Sequence, residues 1–199
     1  MSTLQKDLQV TNRSIPLVTD VLLDMDGVLV DDVAMFSRLQ PAIQDMEAYL
    51  KFLSIIGKRQ EFIFPLIELA IQTKHFANAP ATNFLATVIQ ILLPYWESKG
   101  IKVAILTSTM AVNPNRKELE AQKLKWLQDN GLGHLPVIFA EGSAKKQEYA
   151  TPTTLLIDDF DRTIGQFRSK GGMAIQYTKL TEVLEQLQLL ELYEVFTDF

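Results

Sequence analysis

Val21 to Asp32 reads VLLDMDGVLVDD: an apolar run halts abruptly at Asp24, Met25, Asp26 and Gly27. The stretch Val18–Leu23 has the character of a strand buried on both faces of a parallel sheet. Such a strand has no structural need for two carboxylates one residue apart, with a glycine directly behind them. Four later runs share its apolar character: VAILT (Val103–Thr107), PVIFA (Pro136–Ala140), TLLID (Thr154–Asp158) and MAIQY (Met173–Tyr177). Between them lie stretches of helical length and period, such as KELEAQKLKWLQDNG and TIGQFRSKGG. Alternating strands and helices predict an α/β fold, a doubly wound, Rossmann-like parallel sheet.

One interval breaks the rhythm, because the first two strands are separated by far more chain than a single crossover helix requires. Within it, MFSRLQPAIQDMEAYLKFLSIIG and RQEFIFPLIELAIQTKHF read as two amphipathic helices, with Pro65 marking a kink or break in the second. ATNFLATVIQILLPYWESKG then supplies the crossover helix, with Gly100 as its C-cap. The division expected is an α/β core over residues 1–33 and 80–199, with a small helical cap over residues 34–79. Placed directly after the DMDG turn, this insert would hang over whatever the aspartates do. Residues 1–16 read as a loosely held arm ahead of the first strand.

Composition narrows the possibilities. The 199 residues carry 47% hydrophobic side chains, enough for one ordinary globular domain, and a net charge of -5. That balance disfavours non-specific grip on a phosphate backbone while leaving room for a small anionic ligand. With no cysteine, thiolate metal sites, disulfides and cysteine nucleophiles are excluded. The most apolar segment, FLATVIQILLPYW, is too short and too interrupted to span a bilayer, and the first residues lack a secretory pattern. The expectation is a cytoplasmic protein without a membrane partner.

In an open parallel sheet, ligands gather beyond the carboxyl ends of the strands. Those ends supply Asp24 and Asp26, then Thr107 and Ser108, then Asp158 and Asp159, with Lys145 and Lys146 shortly before the fourth strand. Four carboxylates on one rim repel one another unless a cation joins them, and a hard divalent ion such as Mg2+ suits oxygen ligands. A carboxylate at Asp24 can attack phosphorus. Asp26 can protonate the leaving oxygen and then activate water, and its backbone carbonyl can reach the metal. Gly27 lets backbone N–H groups approach phosphoryl oxygens, while Thr107, Ser108 and a lysine bind and neutralise the transferring group.

This ordered set resembles the haloacid dehalogenase (HAD) superfamily of phosphatases over residues 18 to about 177. Asp24-Met25-Asp26-Gly27 matches the first motif, VAILTS the second, the lysine pair the third and LLIDD the fourth. The resemblance implies Asp24 as nucleophile, Asp26 as acid/base and Mg2+ as cofactor. It makes Asp159 the direct metal ligand beside Asp24 and Asp26, with Asp158 supporting, and favours Lys146 over Lys145. It also implies that the insert is a cap of the type that closes over small substrates.

Within that superfamily, LLDMDGVLVDD, ILTS and LLIDD are most similar to 5'(3')-deoxyribonucleotidases. The sequence departs from them where an aromatic would stack the base, since this chain has Asp32 there. Phe36, Tyr49, Phe52, Phe62 and Phe64 remain as stacking candidates. The function expected is a Mg-dependent phosphomonoesterase acting through an aspartyl-phosphate on a small phosphorylated metabolite, such as a (deoxy)nucleoside monophosphate. Alternatives are a sugar-phosphate or nucleic-acid 3'-end phosphatase, or a non-catalytic HAD-like binding protein; nucleic acid is disfavoured by charge. A phospho-acceptor module of the receiver type fits poorly, because PVIFA ends in alanine where such a module needs its aspartate. Oligomeric state stays open, a homodimer being one option.

Overall fold

The computed structural model describes residues 17–109 and 114–194. The expected arm, residues 1–16, lies outside them. Five strands form one parallel sheet in the order β3-β2-β1-β4-β5. They are β1 Asp20–Leu23, β2 Lys102–Ser108, β3 Val137–Ala140, β4 Thr154–Asp158 and β5 Met173–Gln176. Each coincides with one of the five apolar runs. Their residues alternate between two buried faces: Val21, Leu23, Ile105 and Ile157 pack on one side, Leu22, Leu106 and Leu156 on the other. Fully burying one such side chain contributes roughly 1.5–3 kcal/mol, which is why a strand covered on both sides must be apolar throughout.

Eight α-helices complete the described fold. Three of them, α1 Asp32–Leu39, α2 Met46–Ile55 and α3 Arg59–Gln72, lie between β1 and the crossover. The apolar periodicity predicts only two helices here. Pro41 explains the third: it lacks an N–H and pushes Gln40 out of helical conformation, so α1 ends with Gln40 at φ -128°, ψ 67°. Asp45 then restarts the chain as the N-cap of α2, accepting the Ala48 N–H at 2.9 Å. Pro65, expected to kink or break its helix, sits inside an uninterrupted α3.

The crossover consists of α4 Asn83–Thr87, a π-helical turn Val88–Leu92 and α5 Leu93–Ser98. Pro94 cannot donate to the preceding turn, and the helix widens there, with Leu93 N–H reaching Val88 O. Gly100 closes it at φ +71°. The remaining helices are α6 Arg116–Asp129, α7 Asp161–Ser169 and α8 Leu180–Leu189. Asp161 is the first residue of α7, and Phe160 holds the N-cap position. Helix α7 covers one face of the sheet through Ile164 and Phe167, while the crossover, α6 and α8 cover the other.

The two tryptophans tie these layers together. Trp96 donates its indole N–H to Leu192 O, and Trp126 donates to Ala79 O, each at 2.8 Å and each ring fully buried. No helix of the described residues is long and apolar enough to cross a membrane.

Candidate active site

The chain leaving β1 folds back on itself at once. Asp24 N–H still donates to Ile157 O at 2.9 Å, extending the ladder by one residue, and then Leu29 and Val30 N–H both return to Met25 O. This tight loop needs a left-handed residue, and Gly27 supplies it at φ +75°. A Cβ on Gly27 would lie 2.5 Å from Asp159 Cγ, so the glycine also lets the end of β4 close against the turn. Asp24, Asp26, Asp158 and Asp159 thereby meet on one rim, at the point where crossovers leave β1 in one direction and β4 in the other.

Carboxylate oxygens of Asp24, Asp158 and Asp159 lie within 4.8 Å of one another. Lys146 is sealed beneath them, its Nζ 2.7 Å from Asp24 Oδ2 and 2.7 Å from Asp158 Oδ2. Asp24 Oδ1 accepts its neighbour's N–H, from Met25, at 2.7 Å, and Asp158 Oδ1 accepts from Phe160 N–H at 2.9 Å. These bonds fix the carboxylates of Asp24 and Asp158.

 Burial pushes the Asp24 carboxyl well above the usual carboxylate range. Its acidic neighbours add to that push, and Lys146 opposes it. Asp159 is pushed up to about 7, first by burial and then by Asp32 and Asp158. Burial alone would lower Lys146, but Asp24 and Asp158 more than offset it and hold the ammonium above the ordinary lysine value.

A cavity of 250 Å³ opens over this cluster. Ser108 and Lys146 line it together with the four aspartates, and α1 and α3 add Asp32 and Arg59. Burial, followed by the repulsion of Asp26, pushes Asp32 up to about 6, while Arg59 draws it back. A larger cavity, of 710 Å³, lies at the opposite end of the strands beside Val18 and Ile101, away from the acidic cluster.

Three expected phosphate ligands, Gly27, Lys145 and Thr107, do not line the cavity, and the Gly27 N–H donates to Val30 O at 2.9 Å. Lys145 is exposed and pairs with Glu148 at 2.5 Å, because it and Lys146 are consecutive residues of a 3-10 turn, Ser143–Tyr149, and project in different directions. Thr107 is fully buried and bonds to Lys123 at 2.7 Å. The stacking candidates stay outside as well. Phe36 is in the core, Tyr49 and Phe62 pack edge to face, and Phe52 and Phe64 are exposed on α2 and α3. Phe160 is the aromatic residue that does line the cavity.

Lys123, on α6, was not anticipated. Its Nζ pairs with Asp26 Oδ2, and it also reaches Thr107 Oγ1 at 2.7 Å and Ser108 O at 3.0 Å. Sequence did hold a signal for it. Lys123 shares the helix face of Leu119, Trp126 and Leu127, so the apolar register of α6 points it inward.

No family model and no curated protein matches the sequence. Solved structures do match the fold. A hydrolase from Streptococcus pneumoniae TIGR4 aligns with a TM-score of 0.54 at 15% identity, over 86% of this chain and 98% of its own. A HAD-superfamily hydrolase from Ehrlichia chaffeensis gives 0.52 at 14% identity, over 89% and 100%. A Bacillus subtilis protein described as a HAD-hydrolase, solved bound to magnesium, gives 0.53 at 14% identity, over 87% and 99%. This chain therefore has the α/β fold of HAD-superfamily hydrolases, with an acidic cluster at the carboxyl ends of its strands.

Proposed function

We propose that the protein is a phosphomonoesterase that forms an aspartyl-phosphate on Asp24. The observation that carries this reading is the convergence of Asp24, Asp158 and Asp159 above the buried Lys146. The donor set suits a divalent cation of the Mg2+ type: it is all oxygen, and burial, with crowded negative charge added to it, raises the Asp24 and Asp159 carboxyls in a way such an ion relieves. Asp24, Asp158 and Asp159 would hold the ion, with the Asp26 backbone carbonyl as a further ligand. When bound, it would supply charge neutralisation for the phosphoryl oxygens.

The remaining chemistry belongs to the chain. Lys146 holds Asp24 in place and faces the charge that spreads over the transferring group. An Asp24 oxygen bonds to phosphorus as the ester P–O bond breaks, and Asp26 gives its proton to the departing oxygen. Water then attacks the same phosphorus and loses a proton to Asp26, the bond to Asp24 breaks, and inorganic phosphate leaves. The small polar cavity, with Asp32 and Arg59 at its cap side, favours a small phosphorylated metabolite. A nucleoside monophosphate ranks second, supported by Phe160 as a stacking surface.

Hydrolysis of 4-nitrophenyl phosphate is expected to require Mg2+, to stop with EDTA and to be abolished in Asp24→Asn, whose circular dichroism stays that of the parent. Turnover that persists in EDTA or in Asp24→Asn refutes the assignment.

A further inference from the structure

We propose that Lys123 is a positioning residue, anchoring the Asp26 carboxylate to the end of β2 and so setting where Asp26 exchanges its proton. This rests on the phosphomonoesterase reading above. An ammonium has three N–H donors, and Lys123 has three acceptors: Asp26 Oδ2, Thr107 Oγ1 and Ser108 O. Its side chain is 1% exposed. With every donor engaged and no route to solvent, Lys123 has nothing left to offer a substrate. Its work is done on Asp26.

Asp26 depends on it. The other carboxylate oxygen, Oδ1, is buried and has no hydrogen-bond partner among the described residues. Lys123 is therefore the sole side-chain anchor of that carboxylate among them. The same ammonium holds the Ser108 carbonyl, so one side chain from α6 locks the turn after β1 to the end of β2. Lys146 does the corresponding work for Asp24 and Asp158, and the two lysines share no acceptor. The site thus has two cationic anchors, one under the nucleophile and one under the acid/base.

Leaving-group dependence separates these tasks. 4-Nitrophenolate departs without a proton, so the burst of 4-nitrophenol reports attack by Asp24, whereas an alkyl phosphate needs Asp26 already in that first step. In Lys123→Met, the burst rate with 4-nitrophenyl phosphate should stay within about 3-fold of the parent, and alkyl phosphate turnover should fall at least ~10-fold, in line with the loss of general acid–base help. KM should change little. Thermal stabilisation by beryllofluoride with Mg2+, which mimics the phosphorylated Asp24, should be retained. If the methionine variant fails to fold, Lys123→Gln and Thr107→Val carry the same comparison. Equal turnover of the alkyl ester in parent and variant overturns the inference alone, as does a burst slowed as much as alkyl turnover. A parent that turns over neither ester overturns the phosphomonoesterase reading, and the inference with it.

Discussion

Gly27 does two jobs that only a residue without a side chain can combine. It holds a φ of +75°, and it leaves room for the Asp159 carboxylate 2.5 Å from where a Cβ would stand. Gly27→Ala should lower stability by about 1–3 kcal/mol from backbone strain. It should also displace Asp159, cutting Mg2+-dependent turnover at least ~10-fold, as loss of a supporting metal contact does. Urea unfolding and a Mg2+ titration of the rate check both parts, and an alanine variant with the parent's stability and Mg2+ response contradicts them. The DMDG signature was legible as a carboxylate turn, with Gly27 read as making way for phosphoryl oxygens. Asp159 was legible on the same rim, but its close packing against Gly27 was not, because that contact depends on how the ends of β1 and β4 lie side by side.

Regular elements decide which of two adjacent, identical side chains enters the site. The 3-10 turn before β4 sends Lys146 under the cluster and Lys145 into solvent. Lys146→Ala leaves Asp24 and Asp158 without their shared cation, and turnover should drop by ~100-fold or more, as for loss of an electrostatic stabiliser. Lys145→Ala removes only an exposed, solvent-screened pair with Glu148 and should leave the rate within about 2-fold. A larger effect at Lys145 would reverse their roles. The strands were legible because burial on both faces forces continuous apolar runs. The helix between β1 and α2 was misread because the apolar period runs across Pro41, while the proline itself ends α1. Lys123 escaped notice because Lys117 and Lys125 flank it on the same helix, and only the face shared with Leu119 and Trp126 distinguishes it.

Crowded carboxylates also shape the stability of the entire protein. Asp24, Asp32 and Asp159 all have folded-state pKa values above the model-compound value of 3.8, with Asp32 near 6 and Asp159 near 7. Between about pH 4 and pH 7 the folded chain therefore binds more protons than the unfolded chain, and stability falls as pH rises through that window. Without metal, the thermal midpoint should drop by several degrees from about pH 5 to about pH 8, and Mg2+ should raise it more at the upper end. A midpoint that climbs over this range in the absence of metal would contradict the shared burial of charge.

The path into and out of the helical excursion is stitched shut at its base. Asp31 N–H donates to Pro80 O at 2.8 Å, Thr82 N–H to Leu29 O at 2.9 Å, and Val30 forms bridges with both Asp26 and Ala81. Outgoing and returning chain thus share one narrow neck, while every acidic residue that gathers beneath it, apart from Asp32, comes from the sheet side. Such a neck makes α1 to α3 interchangeable in principle: a different set of helices grafted onto the same two chain ends would reshape the cavity mouth and leave the acidic cluster as it is.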